Sequence, residues 1–169
     1  YRCYAGSQCA SNPLYIGYAI DVLNLLAQVP TVPDADPTRV GIWGHSMGGG
    51  ITLRVLAINY TIKVAALYGA LSADDEVHYC WLIGCRTPTP QAIPTRDNRP
   101  LTTDEADPDF LQATAASPLG KLHDIFLKSS PSRNFSNMTA ATIIHHGEAD
   151  DIVPIEWSVD LANALTALG

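Results

Sequence analysis

The chain has 169 residues, with 10 Lys and Arg against 17 Asp and Glu for a net charge of -7, and 47% of it is apolar. That is enough apolar chain for one globular domain with a real core, while the acidic balance and the lack of any Lys/Arg cluster exclude a phosphate-backbone binder. No run approaches the roughly 18–20 apolar residues that a membrane helix requires, and no secretory signal pattern opens the chain, so neither a membrane span nor a nucleic-acid partner is expected.

Near the N-terminus, Ile16, Ala19, Ile20, Leu23, Leu26 and Ala27 recur at three- and four-residue steps, which predicts a helix over 13–28 that Pro30 and Pro33 end. Asp36-Pro37-Thr38 is a turn signal, and the apolar run at 39–43 then predicts a strand buried on both faces. Beyond three glycines at 48–50, Ile51, Leu53, Val55, Leu56 and Ile58 predict a buried helix. Residues 63–68 and 140–146 predict two further buried strands. Residues 155–168 predict a helix with Trp157, Leu161, Ala164, Leu165 and Leu168 on one face, stopped by Gly169. Strand and helix alternate, so the expected fold class is α/β, with a mostly parallel sheet carrying helices on both faces.

Between the second and third strands the composition changes. Residues 86–110 hold five of the twelve prolines, at 88, 90, 94, 100 and 108, and only 119–127 reads as a short helix. A stretch this long between neighbouring core strands is usually a functional excursion. The expected organisation is therefore a core of 1–70 and 129–169 with a cap- or lid-like insertion at 71–128. Four cysteines fall in two close pairs, Cys3 with Cys9 and Cys80 with Cys85, without zinc-type spacing. Local disulfides, which would point to a secreted or extracytoplasmic setting, and buried thiols are both open readings.

The chemistry is concentrated in Gly44-His45-Ser46-Met47-Gly48-Gly49, placed directly after the first strand and before the helix that follows. A serine in such a strand-turn-helix elbow is held in a strained turn that projects its hydroxyl above the sheet. Flanking glycines are expected to be required because a Cβ at either would strike the neighbouring strand or helix. The Met47 N–H, at a helix N-terminus, faces the same space as an oxyanion donor. His45 is adjacent to Ser46 but should point away from it, as a packing residue. The second element is His145-His146-Gly147-Glu148-Ala149-Asp150-Asp151-Ile152-Val153-Pro154, an acid on a loop after a later strand, where the order nucleophile, acid, base requires it. Asp74, after the second strand, is a lesser alternative for the acid. With its neighbours Asp75 and Glu76 it reads more readily as a solvated charged turn.

These motifs resemble the α/β-hydrolase family, and the Asp36-Pro37-x-Arg39-Val40-Gly41-x-x-Gly44-x-Ser46 run is similar to its prolyl-oligopeptidase-like and dienelactone-hydrolase-like serine hydrolases. The resemblance implies that Ser46 is the nucleophile and Asp150 the acid. It also implies a triad histidine after one more strand beyond the last helix, and a second oxyanion donor from an early loop. Neither is identifiable, so the chain is expected to be incomplete at both ends. A further segment or a second chain would then supply the histidine, with His78 and His123 of the excursion as weak substitutes. The activity implied is cleavage of small-molecule carboxylic esters through an acyl-enzyme on Ser46. The alternatives are a serine peptidase of prolyl-oligopeptidase-like type and a non-catalytic domain that keeps the hydrolase core. Tyr79, Trp81 and Phe110 are expected either to line the substrate pocket or to form core beneath the excursion. No cofactor or metal is called for.

Overall fold

The computed structural model describes residues 2–10, 12–83 and 119–169. Three parallel strands, β1 (Val40–His45), β2 (Ile62–Tyr68) and β3 (Ala141–His145), lie side by side in that order. Their register sets Trp43 opposite Ala66 and Ala66 opposite Ile143, and it brings His45, Tyr68 and His145 level at the C-terminal ends. Five helices accompany them among the described residues: α1 (Ile16–Gln28), α2 (Met47–Leu56), α3 (Asp75–Ile83), α4 (Leu119–Ser129) and α5 (Ile155–Thr166). The alternation read from the sequence is the architecture observed, a parallel sheet with helices.

The sheet face bearing Ile42, Ala65, Leu67 and Ile144 packs against Tyr18 of α1, Leu53, Val55 and Leu56 of α2, and Trp157 and Leu161 of α5. Burying side chains of this size removes water from enough apolar surface to stabilise each contact by about 1.5–3 kcal/mol. The opposite face carries Trp43 at 69%, Val64 at 54% and Ile143 at 53% exposure. The strands were expected to be buried on both sides. The apolar runs imply that, but among the described residues the helices cover only one side, so burial alternates along β1 and β3. At its start α1 is shorter than the predicted helix, because Leu14 and Tyr15 adopt positive φ values of 52° and 59° and break the backbone there.

The N-terminal residues are pinned twice. Cys3 and Cys9 form a disulfide with their α carbons 4.2 Å apart, and Arg2 meets Asp21 of α1 at 2.7 Å. The Arg2 hydrogen bonds draw the Asp21 carboxyl down to about 2. Cys80 is disulfide-bonded as well, so the buried-thiol reading falls for every described cysteine; Cys85 lies outside the described residues.

The segment between β2 and β3 has a defined base. Asp74 caps α3, its Oδ1 accepting the N–H groups of Glu76 and Val77 at 3.0 and 3.2 Å. Asp75 is fully buried and ion-paired with Arg54 of α2. Arg54 also donates to the carbonyls of Leu14 at 2.9 Å and Ser129 at 3.3 Å. Asp75 N–H reaches Ser130 Oγ at 2.9 Å and Ser132 N–H reaches the Ala73 carbonyl at 3.0 Å. The solvated-turn reading of Asp74 and Asp75 is thus corrected: one starts a helix that local periodicity did not reveal, and the other closes a buried ion pair. Burial raises the Asp75 carboxyl above its ordinary value, against the opposing pull of Arg54 and the Ser129 hydroxyl.

Candidate active site

Ser46 joins β1 to α2 with φ 52° and ψ -119°, a conformation that a non-glycine residue adopts only when its surroundings impose it. Its N–H donates to the Tyr68 carbonyl at 2.9 Å. Its carbonyl accepts N–H groups from Gly49 at 2.9 Å, Gly50 at 3.3 Å and Leu71 at 3.2 Å. Main-chain bonds to β2, to the chain after it and to α2 therefore fix the residue on every side. The hydroxyl is left over: among the described residues no side chain or backbone group hydrogen-bonds it. The Met47 N–H at the tip of α2 likewise takes no backbone acceptor among the described residues, whereas the Gly49 and Gly50 N–H groups are used by the Ser46 carbonyl.

Glycine is required at only one of the two flanking positions expected. A Cβ on Gly44 would strike the Gly48 carbonyl group and, at 2.6 Å, Thr52 Oγ1. A Cβ on Gly48 meets nothing within 4 Å, so the expectation for that residue is corrected. The crowding falls one residue later, where a Cβ on Gly49 would lie 2.5 Å from the Ala70 Cβ. Each helical residue is rotated about 100° from the last, and Gly49 is the one turned towards the end of β2.

Asp150 stands on the loop after β3, beside the end of β2. A Cβ on Gly69 would be 3.2 Å from Asp150 Oδ2, and the Gly69 N–H extends the ladder to the His145 carbonyl at 2.9 Å. Ser46 is bonded to Tyr68 and Asp150 lies against Gly69, so the last residue of β2 and the one after it hold both ends of the candidate site. The sequence reading did not single out Gly69; a glycine directly after a buried strand was its only signal. Asp150 Oδ1 accepts the N–H groups of Ile152 and Val153, both at 2.9 Å. Burial pushes the carboxyl up, but those two N–H groups, with His146 and His45 nearby, prevail and hold it below the usual aspartate value.

None of the histidines whose side chains are described hydrogen-bonds Ser46, and the side chain of His123 lies outside the described ones. His45 is exposed with its ring tilted against Tyr68 at 5.3 Å, so it lies at the surface and does not pack inside. His78 is 3% exposed among Tyr15, Trp81 and Trp157, with ring centroids 5.7, 6.2 and 6.1 Å away. His145 is exposed at the end of β3. His146 lies 3.4 Å from Asp150 Oδ2, and both its ring nitrogens have other partners: Nδ1 is 2.7 Å from Ser158 Oγ and Nε2 is 2.9 Å from the Val153 carbonyl. Of the residues expected either in the pocket or in the core, Trp81 is core, 4% exposed and edge-on to Trp157 at 5.4 Å. Tyr79 packs on Phe126 of α4 at 5.2 Å, which ties it to the base of the excursion. Phe110 lies outside the described residues. Among the described residues no group of three His, Cys, Asp or Glu side chains is placed to hold a metal ion, and no helix is long and apolar enough to cross a membrane.

An elbow serine at the C-terminal end of one parallel strand, with an acid on the loop two strands away, is the layout of a hydrolase core, and the chain belongs to the alpha/beta hydrolase family, whose profile matches residues 2–167. Among solved structures it is similar to a Mycobacterium tuberculosis puromycin-hydrolyzing peptidase, with 21% identity, a TM-score of 0.61, and coverage of 89% of this chain and 19% of that one. It is also similar to an acylaminoacyl peptidase of Pyrococcus horikoshii, with 18% identity, a TM-score of 0.57, and coverage of 89% and 21%. At these identities the likeness establishes the shared fold, and the chain spans about a fifth of the length of either structure. No curated protein matches it.

Proposed function

We propose that the protein is a serine hydrolase that transfers an acyl group to Ser46. The observation that carries this reading is the elbow itself: the Ser46 backbone is held at φ 52° by four main-chain hydrogen bonds while its hydroxyl is free of partners among the described residues. In the reaction, Ser46 Oγ attacks the substrate carbonyl carbon and its proton passes to an imidazole. The oxyanion forms against the Met47 N–H, and the leaving group departs with the proton. Water then repeats the sequence to release the acid and free Ser46. Asp150, kept ionised by its loop N–H groups, orients that imidazole and stabilises its cation. The imidazole comes from outside the described residues, from further polypeptide or from a second chain. Residues 71–128 act as the insertion that shapes substrate access.

For the substrate, the sequence favours carboxylic esters on the ground that they are easier to cleave. Both structural neighbours are peptidases, which supports placing acyl or aminoacyl amides ahead of esters. Parallel rates on p-nitrophenyl acyl esters and aminoacyl p-nitroanilides separate the two, with amide turnover expected. A fluorophosphonate probe should label the wild type at Ser46 and leave Ser46→Ala unlabelled. Equal labelling of both, or of neither, would sink the reading. A second reading, a binding domain that keeps the hydrolase core, draws on the lack of an imidazole at Ser46 among the described residues; it predicts no labelling in either protein.

A further inference from the structure

We propose that His146 is a positioning residue for the acid, a latch that sets the loop carrying Asp150 through its bonds to Val153 and Ser158. This rests on the reading of Asp150 given above. The imidazole is 4% exposed and spans the loop from inside. The Val153 carbonyl can only accept, so Nε2 carries a proton and donates to it at 2.9 Å, while Nδ1 shares a hydrogen bond with the Ser158 hydroxyl at 2.7 Å. Ser158 is 5% exposed on α5, so the latch is anchored to a packed helix rather than to the loop itself.

The same short turn is gripped from the other side. Val153 gives its N–H to Asp150 Oδ1 and its carbonyl to His146 Nε2, so one peptide group on each side of this residue joins the acid to the latch. With Oδ1 engaged by Ile152 and Val153, Oδ2 is the oxygen without a loop N–H, beside Gly69 just after β2 and 3.4 Å from His146 Nε2. Removing the imidazole releases the Val153 carbonyl and allows the turn to rotate, and with it the direction of Oδ2. A misplacement of 1 Å in a catalytic group costs on the order of 10²-fold in rate.

The test compares His146→Ala, His146→Gln and Ser158→Ala in the protein, reading kcat and KM together with the titration of the Asp150 carboxyl by carbon NMR. His146→Ala is expected to lower kcat about 10²-fold at nearly constant KM and to raise the Asp150 titration point, as its loop bonds loosen. His146→Gln, whose amide donates to the Val153 carbonyl, should recover most of both. Ser158→Ala should shift both in the direction of His146→Ala by a smaller amount, and it serves where His146→Ala does not fold. Variants that lose only thermal stability, with the Asp150 titration and the kcat/KM split of the wild type, overturn the latch. So does a Gln variant that titrates like the Ala variant. Should the wild type prove inert to substrates and to the fluorophosphonate, the functional reading is what fails, and the Asp150 titration alone decides the latch.

Discussion

The two halves of the candidate site are built by different means. Around Ser46 the work is done by the main chain and by the absence of side chains: four backbone hydrogen bonds fix the residue, and a Cβ at Gly44 or Gly49 would collide with its surroundings. Around Asp150 the work is done by side chains. The carboxylate binds its own loop, His146 and Ser158 brace it, and the loop glycine, Gly147, would tolerate a Cβ with nothing within 4 Å. One half is therefore sensitive to added volume and the other to lost hydrogen bonds.

The largest effect should come from the acid. Under the proposed function, Asp150→Asn keeps the shape of the loop but removes the charge that would stabilise an imidazolium, and kcat should fall by about 10⁴-fold, the scale seen when a triad aspartate is replaced by asparagine. Steady-state turnover checks it, and a fall of less than tenfold would move the acid role elsewhere. Next comes the ion pair at the root of the excursion. Arg54→Met leaves the Asp75 carboxylate buried and uncompensated, at a cost of about 3–5 kcal/mol. Burial already holds Asp75 above its ordinary value, so the native state binds that proton more readily than the unfolded chain. The deficit in Arg54→Met should accordingly shrink as pH falls into the carboxylate range, as urea melts at two pH values would show.

The volume argument is sharpened by a pair of glycines four residues apart. Gly44→Ala should cost about 1–3 kcal/mol or more from overpacking. Gly48→Ala, lying in a helix with open space around it, should be neutral or stabilising by up to about 1 kcal/mol. Equal melting temperatures for the two variants would contradict the steric account of the elbow. The smallest effect belongs to the surface pair of Arg2 and Asp21. Its carboxyl is depressed to about 2, so its contribution is complete above the ordinary aspartate value and is lost as pH falls from about 4 towards 2. The pair is partly exposed, so Asp21→Asn should change stability by less than about 1 kcal/mol at neutral pH and flatten the acid limb of a melting-temperature profile.

Much of this architecture was legible because it is written in local patterns. The elbow is six consecutive residues with a strand before and a helix after, and the alternation of apolar runs gave the parallel sheet. What stayed hidden depends on contacts between distant segments. Asp75 reads as one acid in a charged triplet until Arg54, 21 residues earlier, is seen beside it. Gly48 and Gly49 are equivalent in sequence, and only the approach of Ala70 tells them apart. The apolar runs of β1 and β3 signal burial on two sides, yet Trp43 and Ile143 stand out on the side that no described helix covers. In the sequence His146 reads only as the end of the third strand, because its partner Ser158 lies 12 residues on, a turn into the next helix.

The paired ends of the excursion have a consequence for how such a protein can change. Ala73 to Ser132 and Asp75 to Ser130 are zipped together by hydrogen bonds, so the chain between them leaves and re-enters the core at nearly one point. Lengthening a loop whose ends are already joined adds little entropy cost, about 0.6 kcal/mol for each doubling. A change of length between α3 and α4, which Tyr79 and Phe126 already hold together, should therefore cost the core little so long as His78, Trp81 and Phe126 stay in place. If the proposed function holds, substrate preference could be rewritten there without disturbing Ser46 or Asp150.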